Sequence, residues 1–287
     1  MRVRTAVFPV AGLGTRLLPA TKSIPKEMVT LIDKPLIQYA VEEVIAAGIE
    51  RVIFVSARSK RALEDYFDNT PELEYQLESN GKVKALEEMR RISEMCDITY
   101  VRQKNPNGLG HAVLCAKDAV GNEPFAVILP DDIIMSKVPV TAQLVEQFNR
   151  TRKSVISLME VPDEDTSKYG IVVPGERVDD RMMRLEGMVE KPKKNPPSNL
   201  AIIGRYILTS EVMDALQTIP RGAGGEIQLT DAILEVAKSS RVYGYSFEGK
   251  RFDCGNKFGL FEAAVNFALD REDMREHAMK VIKGMQI

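Results

Sequence analysis

An α/β fold built on a mainly parallel central sheet is what this 287-residue sequence predicts, and two observations carry the prediction. Through the first half, short apolar runs alternate with amphipathic segments, the order expected when each strand is followed by a crossover helix. From about residue 154 the runs become strand-like stretches between charged, proline-containing loops, which adds a smaller accessory sheet to the first.

In chain order, residues 4–10, 52–56, 98–102 and 125–129 read as strands. Residues 35–47 read as a helix, with Pro35 at a first helical position that needs no N–H and Gly48 just past the end. Residues 82–95 and 110–120 read as two more. Further on, 155–161, 171–173, 185–190, 200–208 and 242–247 read as strands, and 257–270 and 272–283 as terminal helices. Residues 191–198 hold three prolines but form a loop too short for a domain linker. The chain therefore reads as one domain over 1–287.

Composition excludes several classes. A net charge of −2 with 28% charged residues does not suit nucleic acid or an anionic membrane as the main partner. No apolar run approaches the ~18–20 residues of a membrane span, and Pro9, Gly12, Gly14 and Arg16 interrupt any signal-peptide core. Cys96, Cys115 and Cys254 are odd in number and lack CxxC spacing, so reduced thiols and a cytoplasmic location are expected.

The densest motif follows the first strand, from Val10 to Met28. Gly12 and Gly14 let the backbone turn and bring N–H groups to an anion. A dinucleotide fingerprint would need glycine where Leu17 stands, and a P-loop would need Gly-Lys-Ser/Thr, so both fail. Instead Arg16, Lys22 and Lys26 follow, a set suited to a polyphosphate but shared by solvated basic loops. At the next strand-to-helix passage, Gln103 carries both a donor and an acceptor for a pyrimidine edge, and Gly108 permits close approach of a ring. His111 there suits either a phosphate or a plain helix start.

Asp131 and Asp132 follow an apolar strand, where α/β folds bind ligands and a hard acid suits Mg²⁺; Pro-Asp-Asp is also good turn chemistry. Asp253 offers a second acid. Glu190 and Lys191 end another strand and could serve sugar hydroxyls and a sugar phosphate only if the backbone twists them toward one ligand. With two histidines and no Gly-x-Ser-x-Gly elbow, a serine or cysteine nucleophile is poorly supported. Attack by a phosphate oxygen, already anionic, needs no general base.

Taken in order, Gly-Leu-Gly-Thr-Arg16, Pro-Lys-Glu-Met28, Asp33-Lys-Pro-Leu-Ile-Gln-Tyr39, Gln103 with Gly108-Leu-Gly-His-Ala112, Leu-Pro-Asp-Asp132 and Val-Glu-Lys-Pro192 closely resemble bacterial UTP–glucose-1-phosphate uridylyltransferases. The resemblance implies a nucleotide-diphospho-sugar transferase fold and transfer of a uridylyl group from UTP to glucose-1-phosphate. It implies that Ala11, Gly12, Gln103 and Gly108 hold uridine, with Leu13 and Gly14 in the same nucleotide-binding stretch. Arg16 would meet the β- and γ-phosphates, Lys26 the reacting phosphates, and Asp131 with Asp253 an Mg²⁺ ion. Gly170, Glu190, Lys191, Gly204 and Glu226 would surround the sugar phosphate, making 1–150 mainly the nucleotide half and 151–287 mainly the sugar-phosphate and oligomerisation half. A homotetramer or dimer is implied. Thymidylyl transfer from dTTP, and a non-catalytic sugar-nucleotide sensor, remain as alternatives.

Overall fold

In the computed structural model, which describes residues 2–285, the first apolar run becomes strand β1 (Thr5–Pro9). A loop of short 3-10 turns leads to the hairpin β2 (Thr30–Leu31) and β3 (Lys34–Pro35), then helix α1 (Leu36–Ala46). β4 (Arg51–Ser56) is followed by α2 (Arg61–Phe67), α3 (Pro71–Ser79), α4 (Val83–Ser93) and β5 (Asp97–Arg102). Next come α5 (Leu109–Cys115), α6 (Lys117–Val120), β6 (Phe125–Ile128), β7 (Asp132–Met135), α7 (Val140–Thr151) and β8 (Val155–Glu160). The remainder runs β9 (Gly170–Arg177), β10 (Met182–Glu190), β11 (Leu200–Leu208), α8 (Glu211–Thr218), α9 (Leu229–Ser239), β12 (Tyr243–Ser246), β13 (Lys250–Asp253), α10 (Lys257–Asp270) and α11 (Glu272–Gly284).

Nine strands form one sheet in the order β5-β4-β1-β6-β11-β8-β12-β10-β9, and β9 also pairs with β11, so the far end of the sheet folds back on itself. β5, β4, β1 and β6 are parallel neighbours, as are β8 and β12. By the antiparallel pairings, β10 and β11 run against the other strands. The accessory sheet is two-stranded, β13 with β7, in a register that sets Asp253 opposite Asp132.

Alternation along the strands divides the core between the two faces. Val7, Val127 and Ile156 pack under α5, α8 and α9 through Val113, Leu216 and Ile233. Ala6, Phe8, Phe54 and Ile128 pack under α1 and α7 through Val41, Leu144 and Phe148. Phe8 and Phe54 are fully buried, each stabilising by roughly 1.5–3 kcal/mol relative to exposure, and meet edge to face at 5.4 Å.

Helices α2, α3, α7, α8 and α9 and strands β2, β3, β7 and β13 are absent from the sequence reading, and the helix read at 110–120 breaks at Ala116 into α5 and α6. The helix at 257–270 appears with the expected bounds because Asn256 caps it, its side chain accepting from the amides of Phe258 and Gly259.

Candidate active site

The chain leaves the parallel strands at one edge of the sheet, and the charged motifs meet there. Gly14 sits at φ 67°, and a Cβ at that position would lie 2.8 Å from Lys26 Cβ, so glycine is needed both for the turn and for Lys26 to fold back against it. The Thr21 hydroxyl donates to the Gly14 carbonyl at 2.8 Å and fixes the turn. Lys26 Nζ then reaches Asp131 Oδ2 at 2.6 Å. Arg16 bridges the two acids, 3.5 Å from Asp131 Oδ2 and 3.4 Å from Asp253 Oδ2. Gly255 lies among them: a Cβ there would stand 2.5 Å from Arg16 Nη2, 2.7 Å from Asp131 Oδ2 and 3.0 Å from Asp253 Oδ1. Lys22, by contrast, is exposed, as are Gly12 and Leu13, while Ala11 is half-buried.

The neighbouring acids Asp131 and Asp132 have separate fates. Burial disfavours the charge of Asp131, but Lys26 and Arg16 outweigh it and hold the carboxyl below the usual range. Burial likewise opposes the charge of Lys26, and the carboxylates of Asp131 and Glu27 outweigh it, keeping the ammonium above its ordinary value. Asp132 points the other way. Its Oδ2 accepts from the Gly204 amide at 3.0 Å, its Oδ1 accepts from Arg251 Nε at 2.7 Å, and Arg251 Nη2 also meets it. Burial pushes Asp132 up in spite of Arg251. Behind it, Arg205, wholly buried, forks onto Glu43 and donates to the backbone carbonyls of Leu129, Asp132 and Gly204.

Asp131 and Asp253, each already paired with a cation, are the acids whose carboxylates face one another across Gly255 and could hold a metal. Two hard carboxylates converge on Gly255, and no group of three or more His, Cys, Asp or Glu gathers among the described residues. A cation there would complete its shell from phosphates and water, the habit of Mg²⁺.

The sugar-phosphate candidates form a second group. Lys191 adopts φ 45°, a left-handed conformation that costs about 1 kcal/mol or more for a side-chain-bearing residue. This supplies the twist that brings adjacent side chains together, with Lys191 Nζ 3.2 Å from Glu190 Oε1. The amide of Lys191 is tied to the Tyr169 carbonyl at 3.0 Å. Glu190 Oε2 accepts from the Thr230 hydroxyl at 2.7 Å and lies 3.2 Å from where a Gly170 Cβ would be. Glu226 does not join Glu190; it packs against Gly108, whose Cβ would lie 2.6 Å from Glu226 Cβ. Gly204 is the backbone donor to Asp132. Gln103 Nε2 is spent within the protein, 3.2 Å from the Gly108 carbonyl and 2.9 Å from His111 Nδ1, so the amide does not present both ends to a ligand.

Sequence reasoning misses Arg251, Arg205, Glu43, Gly255, Thr230 and the pair Glu27–Lys60. Arg251 ties Asp132 to the Tyr169 hydroxyl at 2.8 Å and stacks over its ring. Lys60 Nζ meets Glu27 Oε2 at 2.8 Å, both side chains sealed from solvent, while Glu27 Oε1 has no partner. Burial pushes Glu27 up, and Lys60 and Lys26 offset it only in part. A usable signal existed for Glu27, which adjoins Lys26 in the Pro-Lys-Glu-Met segment, for Gly255, two residues past Asp253, and for Arg205 and Thr230, which lie in polar insertions within apolar surroundings.

Comparison with known proteins shows the family. A family model described as nucleotidyl transferase matches residues 6–269. A UTP–glucose-1-phosphate uridylyltransferase of Bacillus subtilis (strain 168) is 48% identical over 285 residues, 99% of this chain and 97% of the relative. A crystal structure of a UDP-glucose pyrophosphorylase complexed with UDP-glucose superposes with a TM-score of 0.86 at 45% identity, covering 94% of this chain and all of that one. A UTP-bound enzyme of the same kind from Acinetobacter baumannii gives a TM-score of 0.92 at 40% identity, covering 99% and 100%. With the family model spanning residues 6–269 and a uridylyltransferase 48% identical over 99% of this chain's length, the chain belongs to the nucleotidyl transferase family, on the branch of the UTP–glucose-1-phosphate uridylyltransferases.

Proposed function

We propose that the protein transfers the uridylyl group of UTP to glucose-1-phosphate, releasing pyrophosphate and forming UDP-glucose. The observation that carries the reading is the convergence of Arg16, Lys26, Asp131 and Asp253 around Gly255, with Lys191 on its own twisted turn. An oxygen of the sugar phosphate attacks the α-phosphorus in line; the new O–P bond forms as the bond to the β-phosphate oxygen breaks, and that oxygen leaves on pyrophosphate. The attacking oxygen is already anionic, so alignment and charge neutralisation suffice. Lys26 meets the reacting phosphates, Arg16 the departing pyrophosphate and Lys191 the sugar phosphate. Ala11 to Gly14, Gln103 and Gly108 hold the nucleotide, and Gly170, Glu190, Gly204 and Glu226 border the sugar.

Mg²⁺, held by Asp131 and Asp253, would supply Lewis-acid neutralisation of phosphate charge. The first half of the chain serves mainly the nucleotide and the second mainly the sugar phosphate. The exposed rings of Phe258 and Phe261, 75% and 72% accessible, support assembly of copies through α10. Three free thiols support a reducing cytoplasm, and no helix among the described residues is long and apolar enough to cross a membrane.

The test is pyrophosphate release with UTP or dTTP, each with and without glucose-1-phosphate and Mg²⁺. Release requiring UTP, sugar phosphate and metal together supports the reading. Preference for dTTP moves the activity to thymidylyl transfer, and no release with either leaves a binding protein.

A further inference from the structure

We infer that His111 makes this site selective for a pyrimidine carrying an N–H at position 3, by completing, with the Gly108 carbonyl, a lock on the Gln103 amide that leaves its carbonyl oxygen for the base. The inference rests on the nucleotide reading above and deepens it to the atom that separates uracil from cytosine.

A glutamine amide has two N–H donors at one end and an acceptor at the other, and its surroundings decide which end faces which way. The Gly108 carbonyl, 3.2 Å from Gln103 Nε2, only accepts, so the NH₂ end faces it. The same Nε2 lies 2.9 Å from His111 Nδ1. Both amide hydrogens are therefore used, provided Nδ1 accepts. Cys115 argues that it does: its Sγ lies 3.9 Å from that nitrogen, and burial pushes the thiol up, so it stays an S–H donor. A ring nitrogen facing two donors is the unprotonated one, which leaves the proton on Nε2.

Gln103 Oε1 accepts no hydrogen bond from a described residue, and it is not sealed from solvent as the partnerless Glu27 Oε1 is. Gln103 itself is 7% exposed, so turning the amide would break two partly buried bonds. The open oxygen matches the N3–H of uracil. Cytosine presents a lone pair at N3, and two acceptors would face each other. Thymine shares the N3–H, so His111 separates UTP from CTP and leaves UTP and dTTP alike.

The experiment measures dissociation constants of UTP and CTP by calorimetry, beside kcat/KM for each, in the wild-type full chain, His111→Lys and His111→Gln. Wild type is expected to favour UTP by about 10- to 100-fold or more, the effect of one hydrogen bond exchanged for a clash of acceptors. His111→Lys removes the acceptor and sets a donor against the Gln103 NH₂, so that only the Gly108 carbonyl still holds the amide, and the UTP-over-CTP ratio is expected to fall by about tenfold. His111→Gln, which can still accept, keeps the ratio within about threefold. Should His111→Lys fail to fold, His111→Phe removes the acceptor without adding charge, and the ratio falls. Equal weakening of both nucleotides with an unchanged ratio overturns the inference, as does a wild type indifferent to the base. Intact UTP preference in binding without pyrophosphate release overturns the transferase reading and leaves this one standing.

Discussion

The front cluster, Arg16, Lys26, Asp131 and Asp253, and the rear cluster, Glu43, Asp132, Arg205 and Arg251, each hold two acids and two cations. They meet at the peptide bond between Asp131 and Asp132. In the rear cluster, Arg205 is 0% exposed and its donors all end on Glu43 or on backbone carbonyls. In the front, the Arg16 side chain is 60% exposed and its contacts are long, 3.4 and 3.5 Å. Equal charge composition thus becomes scaffold or site according to how much bonding capacity is left over. Surplus donors and acceptors within reach of solvent are what a phosphate can claim.

The largest expected effect lies in the rear. Arg205→Ala leaves Glu43 buried without its cation and is expected to cost about 3–5 kcal/mol of stability, read from the denaturation midpoint; a loss under about 1 kcal/mol would break the division. In front, Lys26→Ala is expected to slow pyrophosphate release by about 10²- to 10³-fold, roughly 2.7–4 kcal/mol of barrier, with a much smaller change in stability. Lys191→Ala should behave alike, with a raised KM for glucose-1-phosphate. The comparison sharpens in the adjacent acids. Asp131→Asn is expected to lose activity about 100-fold at nearly unchanged Tm, whereas Asp132→Asn is expected to lose about 1–3 kcal/mol of stability by unpairing Arg251.

The smallest effect concerns pH. Burial opposes the charge of Glu43, but Arg205 outweighs it and holds the carboxyl below its ordinary value. Its contribution is therefore complete above the unfolded value near ~4.3 and is lost as pH falls through the lower folded value. The Tm gap between wild type and Glu43→Gln should be widest at neutral pH and narrow only below about pH 4; a constant gap would mean that the charge of Glu43 is not what stabilises the pair.

Sequence carries the front cluster further than the rear. Gly14, Arg16, Lys26 and Asp131 lie in short stretches whose residue types state their chemistry. Arg205 on β11 stands out as a polar insertion in an apolar run, but nothing local names the acid far away in the chain that it or Arg251 on β13 turns toward. Helix α7 does have a legible stripe, Val140, Leu144 and Phe148, all buried, that the sequence reading omits. α3 has none, for no residue in it is buried, and its existence rests on local propensity and Pro71 at its start. β7 and β13 are four residues each, too short for a period-two pattern to speak, yet their pairing delivers Asp253.

That pairing has a consequence for biosynthesis. Arg251 and Asp132 lie 119 positions apart, so while a ribosome is still making the middle of the chain, the first acid has been synthesised and its neighbour has no cation to meet. Closing so long a loop is slow and comes late. The last strand thus works as a clasp: a nascent or truncated chain stopping short of residue 250 would leave Asp132 without Arg251 and β7 without its partner strand. The charged edge is complete only once β13 has been made.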